Sequence, residues 1–218
     1  MPFILLDKSD AKKAITILFD KYPHSKYYLN FNTPIDLLVA AILSAQTKDE
    51  VVNSSTVNLF KKYKTAEDYA SSNPSDLSKY VGKINFSGNK INNIIKACKI
   101  LVEKYDGKVP RDMGSLTELP GIGRKTANTI LINAYGITEG IPVDTWVIKL
   151  SKRIGLSKND GPEDIERDLM GFVDKTYWGK IAYVFKAHGK AICQSKIPIC
   201  SECVLNKLCP KNDVQKSK

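Results

Sequence analysis

The chain is predicted to be all-α. Apolar residues recur at helical spacing through most of its length, no segment alternates apolar and polar residues convincingly, and the connections between periodic segments are short. No internal repeat interrupts this pattern.

The elements follow in order. Ser9 can cap "DAKKAITILFDKY", where Ala11, Ala14, Ile15, Leu18 and Tyr22 share one face, and Pro23 ends it. Thr33-Pro34 opens a second helix with proline at the first helical position and Leu37, Leu38, Ala41, Ile42 and Ala45 on its face. A more polar third helix runs from about 48 to 63. "TAEDYASS" and "NPSDLSKYV" read as two short helices joined at Asn73-Pro74. "NKINNIIKACKILVEKY" carries the clearest stripe (Ile91, Ile94, Ile95, Cys98, Leu101, Val102, Tyr105), with Gly107 beyond its end. After "GSLTELPGIG", residues 125–135 form a helix whose apolar side is Ala127, Ile130, Leu131 and Ala134. "VDTWVIKLSKRIGL", "GPEDIERDLMGFVD" and "KTYWGKIAYVFKAHGKAIC" give three more, and only "KNDVQKSK" at the end reads as unstructured.

With 218 residues, 43% hydrophobic and 26% charged, there is material for one large domain or two small ones, and disorder is not the default. A formal charge of +10 favours a polyanionic partner, nucleic acid or an anionic membrane surface. No apolar run reaches membrane-spanning length, and "MPFILLDKSD" is too short an apolar stretch for a signal peptide, so a soluble intracellular protein is expected.

Two stretches suggest chemistry. In "LPGIGRKTAN", Pro120 fixes the entry to a turn in which Gly121 and Gly123 flank Ile122, just ahead of a helix. Amides of such a turn can form a nest for phosphate oxygens. A plain tight turn between packed helices accounts for these ten residues equally well. Lys125, at a helix start and beside Arg124, sees a locally positive field that should lower its pKa and free its amine as a nucleophile. The bland alternative is a lysine on phosphate or in solvent. In "PVDTW", Asp144 opens a helix as an N-cap. The same rigidly held carboxylate could face developing positive charge.

Four of the five cysteines, Cys193, Cys200, Cys203 and Cys209, are separated by six, two and five residues. Such a cluster reads as metal ligands in a reducing compartment. Only one close Cys-x-x-Cys pair is present, which favours an iron–sulfur cluster over zinc, with two disulfides a further alternative. Cys98 lies on an apolar stripe and reads as a small buried hydrophobe.

Taken together, the sequence resembles the endonuclease III family of DNA glycosylase/AP lyases, within the helix-hairpin-helix glycosylase superfamily. The likeness rests on "LPGIGRKTAN", "VDT", the six-two-five cysteine spacing, "LSAQTKDEVVN" and "AHGKAIC", in that family's order from about Thr33 to Cys209. It implies two helical domains with a DNA-binding cleft between them. One is a six-helix bundle over 29–137 containing the helix-hairpin-helix motif; the other joins 1–28 to 138–218 and holds a [4Fe–4S] cluster on the four cysteines. The resemblance further implies action on double-stranded DNA that contains damaged bases or abasic sites, and a monomer is expected. Lys125 would attack the sugar C1′, Asp144 would assist, and Leu119, Pro120, Gly121, Ile122, Gly123 and Arg124 would hold the DNA backbone. Gln46 would enter the gap left by the flipped nucleotide, and Phe86, in "INFSGNK", would act as a wedge. Lysine at 125 points to a bifunctional enzyme for oxidised pyrimidines. Trp146 stands where a histidine is usual, Ser87 where a tyrosine is frequent and Asn85 where glycine is common, which opens base preference to uracil or G·T mismatches. A non-catalytic iron–sulfur DNA-binding module is the alternative of another class. His188 reads as structural.

Overall fold

A computed structural model describes residues 2–218. Among them are twelve α-helices and one 3-10 turn, and no strand. The chain divides into two compact units: Tyr28–Glu139, which is contiguous, and the remainder, which joins the chain up to Tyr27 to the chain from Gly140 onward. Helix α1 (Lys8–Lys21) belongs to the discontinuous unit. Its N-cap is Asp7, whose Oδ1 accepts the Asp10 amide at 2.8 Å, so the helix starts two turn-forming residues earlier than a Ser9 cap would allow.

The contiguous unit holds α2 (Pro34–Ser44), α3 (Asp49–Lys62), α4 (Ala66–Ala70), α5 (Pro74–Val81), α6 (Ser87–Tyr105), α7 (Met113–Thr117) and α8 (Arg124–Tyr135). Helix α2 is buried from Ile35 through Leu43 and has no solvent face. Each large aliphatic residue buried there is worth about 1.5–3 kcal/mol. A capping box starts it: Thr33 Oγ1 accepts the Asp36 amide, and the Asp36 carboxylate accepts the Asn32 and Thr33 amides. Helices α4 and α5 pack on α6, α6 also packs on α2, and α8 packs on α2 and α7. Helix α6 begins at Ser87, ahead of the periodic stretch, because its polar first turn carries no apolar signal. Cys98 is fully buried on its stripe, whereas Val102 lies off it and is exposed. Helix α7, at five residues, is too short to show a period.

The discontinuous unit continues with α9 (Thr145–Ile154), α10 (Pro162–Met170), α11 (Lys175–Trp178) and α12 (Ile181–Ala191). The last predicted helix is thus two, with Gly179 and Lys180 between them. Helix α12 packs against α1 and α9, and α9 against α10. The closeness of α12 to the start of α9 depends on Gly189, because a Cβ there would lie 2.1 Å from Cε3 of Trp146. Gly189→Ala should therefore cost about 1–3 kcal/mol, read as a lowered thermal midpoint. An unchanged midpoint would show that the indole can move aside.

The C-terminal segment has no regular helix but is not loose. Asn212 is buried; its Oδ1 accepts the Ile4 amide at 3.0 Å, and its Nδ2 donates to Ile4 O at 2.7 Å and Lys152 O at 3.1 Å. The Lys218 amide donates to Pro198 O at 2.9 Å. Both ends of the chain are thereby tied to this unit. No helix among the described residues is long and apolar enough to cross a membrane.

Candidate active site and cysteine cavity

In the contiguous unit, α7 leads through Leu119-Pro120-Gly121-Ile122-Gly123 into α8. Leu119 and Ile122 are buried, and the Ile122 amide donates to Leu119 O at 3.0 Å, so the turn is anchored by its apolar residues. The two glycines serve different ends. Gly121 has φ +87°, and a Cβ there would come within 3.1 Å of Asn93 Nδ2 on α6, so the fold itself demands glycine. Gly123 is extended (φ −97°, ψ 176°), and a Cβ there would meet nothing within 4 Å. Nothing among the described residues requires glycine at 123. As the N-cap of α8 it gives the helix no side-chain cap. Arg124 and Lys125 follow in this turn with their side chains exposed, while Ala127, Ile130 and Leu131 bury the opposite face.

Two further residues singled out in the sequence lie in the same unit with unusual backbones. Gln46 (φ 52°) and Phe86 (φ 55°) are both left-handed, which costs a non-glycine residue about 1–2 kcal/mol. Both are exposed, Phe86 at 68%. Gln46 sits in a tight turn after α2, closed by the Thr47 amide donating to Ser44 O at 3.1 Å. Phe86 is the N-cap residue of α6 and gives it no side-chain cap. Lys90 is a further residue of the first turn of α6. Its Nζ is buried, donating to Leu43 O at 2.9 Å, to Ala45 O and to Thr47 Oγ1 at 2.9 Å. Burial holds its pKa below the usual lysine range. A lysine next to a polar first turn gives no sequence signal for such a role.

In the discontinuous unit, Asp144 is the N-cap of α9, half-buried, with Oδ1 accepting the Trp146 and Val147 amides at 2.9 Å each. Both amides bind the same oxygen, so Oδ2 has no share in the cap.

Cys193 follows α12, Cys200 opens the 3-10 turn Cys200–Glu202, Cys203 closes it, and Cys209 lies beyond; all four line one cavity with Ile154 and His188. Buried Arg153 pins the loop at its first cysteine. Its Nη1 donates to Cys193 O, Cys193 Sγ and Gln194 O, and its Nη2 to Ser195 O at 2.9 Å. The Leu205 amide points at Cys203 Sγ and the Lys211 amide at Cys209 Sγ, each at 3.4 Å. Burial raises the Cys193 and Cys203 thiols and pushes Cys209 up to about 11. His188 is buried, with Nδ1 3.0 Å from the Tyr22 hydroxyl and Nε2 3.5 Å from Cys203 Sγ. Burial depresses it to about 4, so its ring is neutral.

A tight turn between two helices, with basic side chains at the start of the second, has the form of a helix-hairpin-helix motif, and the comparisons agree. Residues 39–175 match the HhH-GPD superfamily of base excision DNA repair proteins. The endonuclease III of Synechocystis sp. is 42% identical over 93% of this chain and 93% of its own length. That of Bacillus subtilis is 38% identical over 94% of each. An endonuclease III structure solved as a trapped covalent intermediate with DNA superposes with a TM-score of 0.91, at 36% identity, over 95% of this chain and 97% of that one. The chain belongs to the endonuclease III family of DNA glycosylases with AP lyase activity.

Proposed function

We propose that the chain removes oxidised pyrimidines from double-stranded DNA and cleaves the strand at the resulting abasic site, acting as a monomer. The observation that carries this reading is Lys125, an exposed residue in the first turn of α8, two positions after a glycine whose Cβ would meet nothing within 4 Å. A bare N-cap at 123 suits close approach of a phosphate, which brings the neighbouring sugar to the lysine.

The chemistry follows from the residue types. The damaged nucleotide leaves the stack, with Gln46 filling the gap and Phe86 wedging the step beside it. The Lys125 amine forms a bond to C1′ as the base departs with the electron pair of the glycosidic bond. The sugar ring opens to a Schiff base, loss of a C2′ proton makes the new double bond, and the 3′ phosphate leaves. Asp144 stabilises the positive charge that develops at C1′. Its capping geometry separates two effects. Asp144→Asn keeps an oxygen for both amides, so stability should change by less than about 0.5 kcal/mol while base excision falls about 10²-fold. Asp144→Ala should add about 1 kcal/mol of destabilisation. Equal excision by the asparagine variant and the wild type would leave Asp144 as a cap only.

The donor set fits a [4Fe–4S] cluster, since four thiols line one cavity. A cubane takes one thiolate per iron and so spreads its ligands. Cys193, Cys200, Cys203 and Cys209 would hold it, and when bound it cross-links the loop at four points. Arg153 and the Leu205 and Lys211 amides supply hydrogen bonds that stabilise thiolate sulfur.

The reading is tested by borohydride trapping on duplexes carrying thymine glycol, uracil opposite guanine, a G·T mismatch or an abasic site. A covalent band with thymine glycol and the abasic site is expected. A band with uracil or G·T instead would replace the substrate class, and no band on any duplex would remove the lyase.

A further inference from the structure

Gln46 and Phe86 are 40 positions apart in sequence, and both hold left-handed backbones without being glycine. One short segment, 85–90, accounts for how the first of them is held. Asn85 Nδ2 donates to Gln46 O at 2.9 Å, and the buried Lys90 Nζ donates to Leu43 O, Ala45 O and Thr47 Oγ1. The carbonyls on both sides of the Gln46 peptide thus take their hydrogens from the segment that carries Phe86. In addition, the Lys90 amide donates to Phe86 O at 3.3 Å, so the residue that grips the Gln46 turn is also bonded to Phe86. The Gln46 and Phe86 side chains are exposed, so these contacts fix the two backbones while leaving both side chains available.

We propose that Asn85 is a positioning residue that locks Gln46 and Phe86 into one two-pronged probe of the duplex, with Lys90 as its buried anchor. This rests on the reading above that both side chains enter DNA. Asparagine at 85, where the resemblance to endonuclease III leads one to expect glycine, supplies the amide that a glycine lacks. In a locked probe the loss of one prong misplaces little, but the remaining prong enters only as far as the shared backbone allows. The two prongs therefore report one insertion event rather than two independent ones.

The experiment is a double-mutant cycle on a duplex carrying a tetrahydrofuran abasic-site analogue, with affinity measured at fixed salt for Gln46→Ala, Phe86→Ala and both, in the wild type and in Asn85→Ala. Locked prongs predict that the double substitution in the wild type weakens binding about tenfold less than the product of the single effects. In the Asn85→Ala background the shortfall should shrink to within about twofold. Thermal unfolding of Asn85→Ala should match the wild type, since the residue is exposed. A shortfall that persists in Asn85→Ala, or effects that multiply in the wild type, would overturn the lock while leaving both residues as DNA contacts. Single substitutions that leave affinity unchanged would instead overturn the insertion reading itself, and the lock with it.

Discussion

Lys125→Gln should abolish the borohydride-trapped band and reduce single-turnover strand cleavage at a preformed abasic site on the order of 10⁴-fold or more, as expected when a nucleophile is removed. The side chain is exposed at the start of α8 and the substitution lies off the buried Ala127–Ile130–Leu131 face, so stability should move by no more than about 0.5 kcal/mol. Binding to an abasic-site analogue should persist, because the hairpin amides and Arg124 remain. Two results would sink the assignment: a covalent band retained by the glutamine variant, or a loss of cleavage matched by loss of the fold. Lys125→Arg gives a control on charge. It restores the positive side chain but not a titratable amine, and should stay inactive.

The second large effect is expected at the cysteine cavity. Cys203 lies between the Leu205 amide and the His188 ring, and its neighbours Pro198 and Leu205 are buried, so the loop leans on this point. Cys203→Ser should remove the visible absorbance of a bound cluster. It should also destabilise the discontinuous unit by about 4 kcal/mol or more, the range of effects that accompany a lost metal or core network. Limited proteolysis should then cut within 193–209 first, and the fragment that resists longest should correspond to Tyr28–Glu139, which has its own core. An unchanged digestion pattern and midpoint, with the absorbance gone, would show that the loop holds without its cluster.

Helices with long apolar stripes and a distinct cap were readable in the sequence: the Thr33-Pro34 start of α2 and the Ile91–Leu101 stripe of α6 are where the pattern places them. Short or polar pieces were not. The five residues of α7 complete little more than one turn, and the break between α11 and α12 hinges on Gly179 inside an otherwise continuous helical pattern. At the start of α1, Asp7 and Ser9 are both good caps, and local sequence does not rank them. The ordered C-terminal segment was missed because its order comes from Asn212 bonding to Ile4, at the other end of the chain. The site shows the same division. The glycines of the hairpin and the spacing of the four cysteines are visible as letters, and they point to phosphate and metal chemistry without any family likeness. Gln46 and Phe86 stood out only by resemblance. The left-handed backbone of Gln46 is flanked by carbonyls that accept from Asn85 and Lys90, residues some forty positions away. No window of sequence short enough to read for periodicity contains such a pairing.

The interleaving of the two units has a consequence for synthesis. Residues 28–139 are contiguous, so this unit has all its helices as soon as Glu139 clears the ribosome and can fold while the rest of the chain is still being made. Helix α1 leaves the ribosome before that unit but packs against α12, and Ile4 is held by Asn212. At translation rates of about 5–20 residues per second, α1 therefore waits on the order of 10–40 seconds for its partner strand of chain to appear. During that interval its apolar face (Ala11, Ala14, Ile15 and Leu18) is uncovered by the contacts it will later make. Once Glu139 has emerged, the nascent protein should thus be a finished inner unit preceded by an unpaired α1, with the cysteines of the other half still to come.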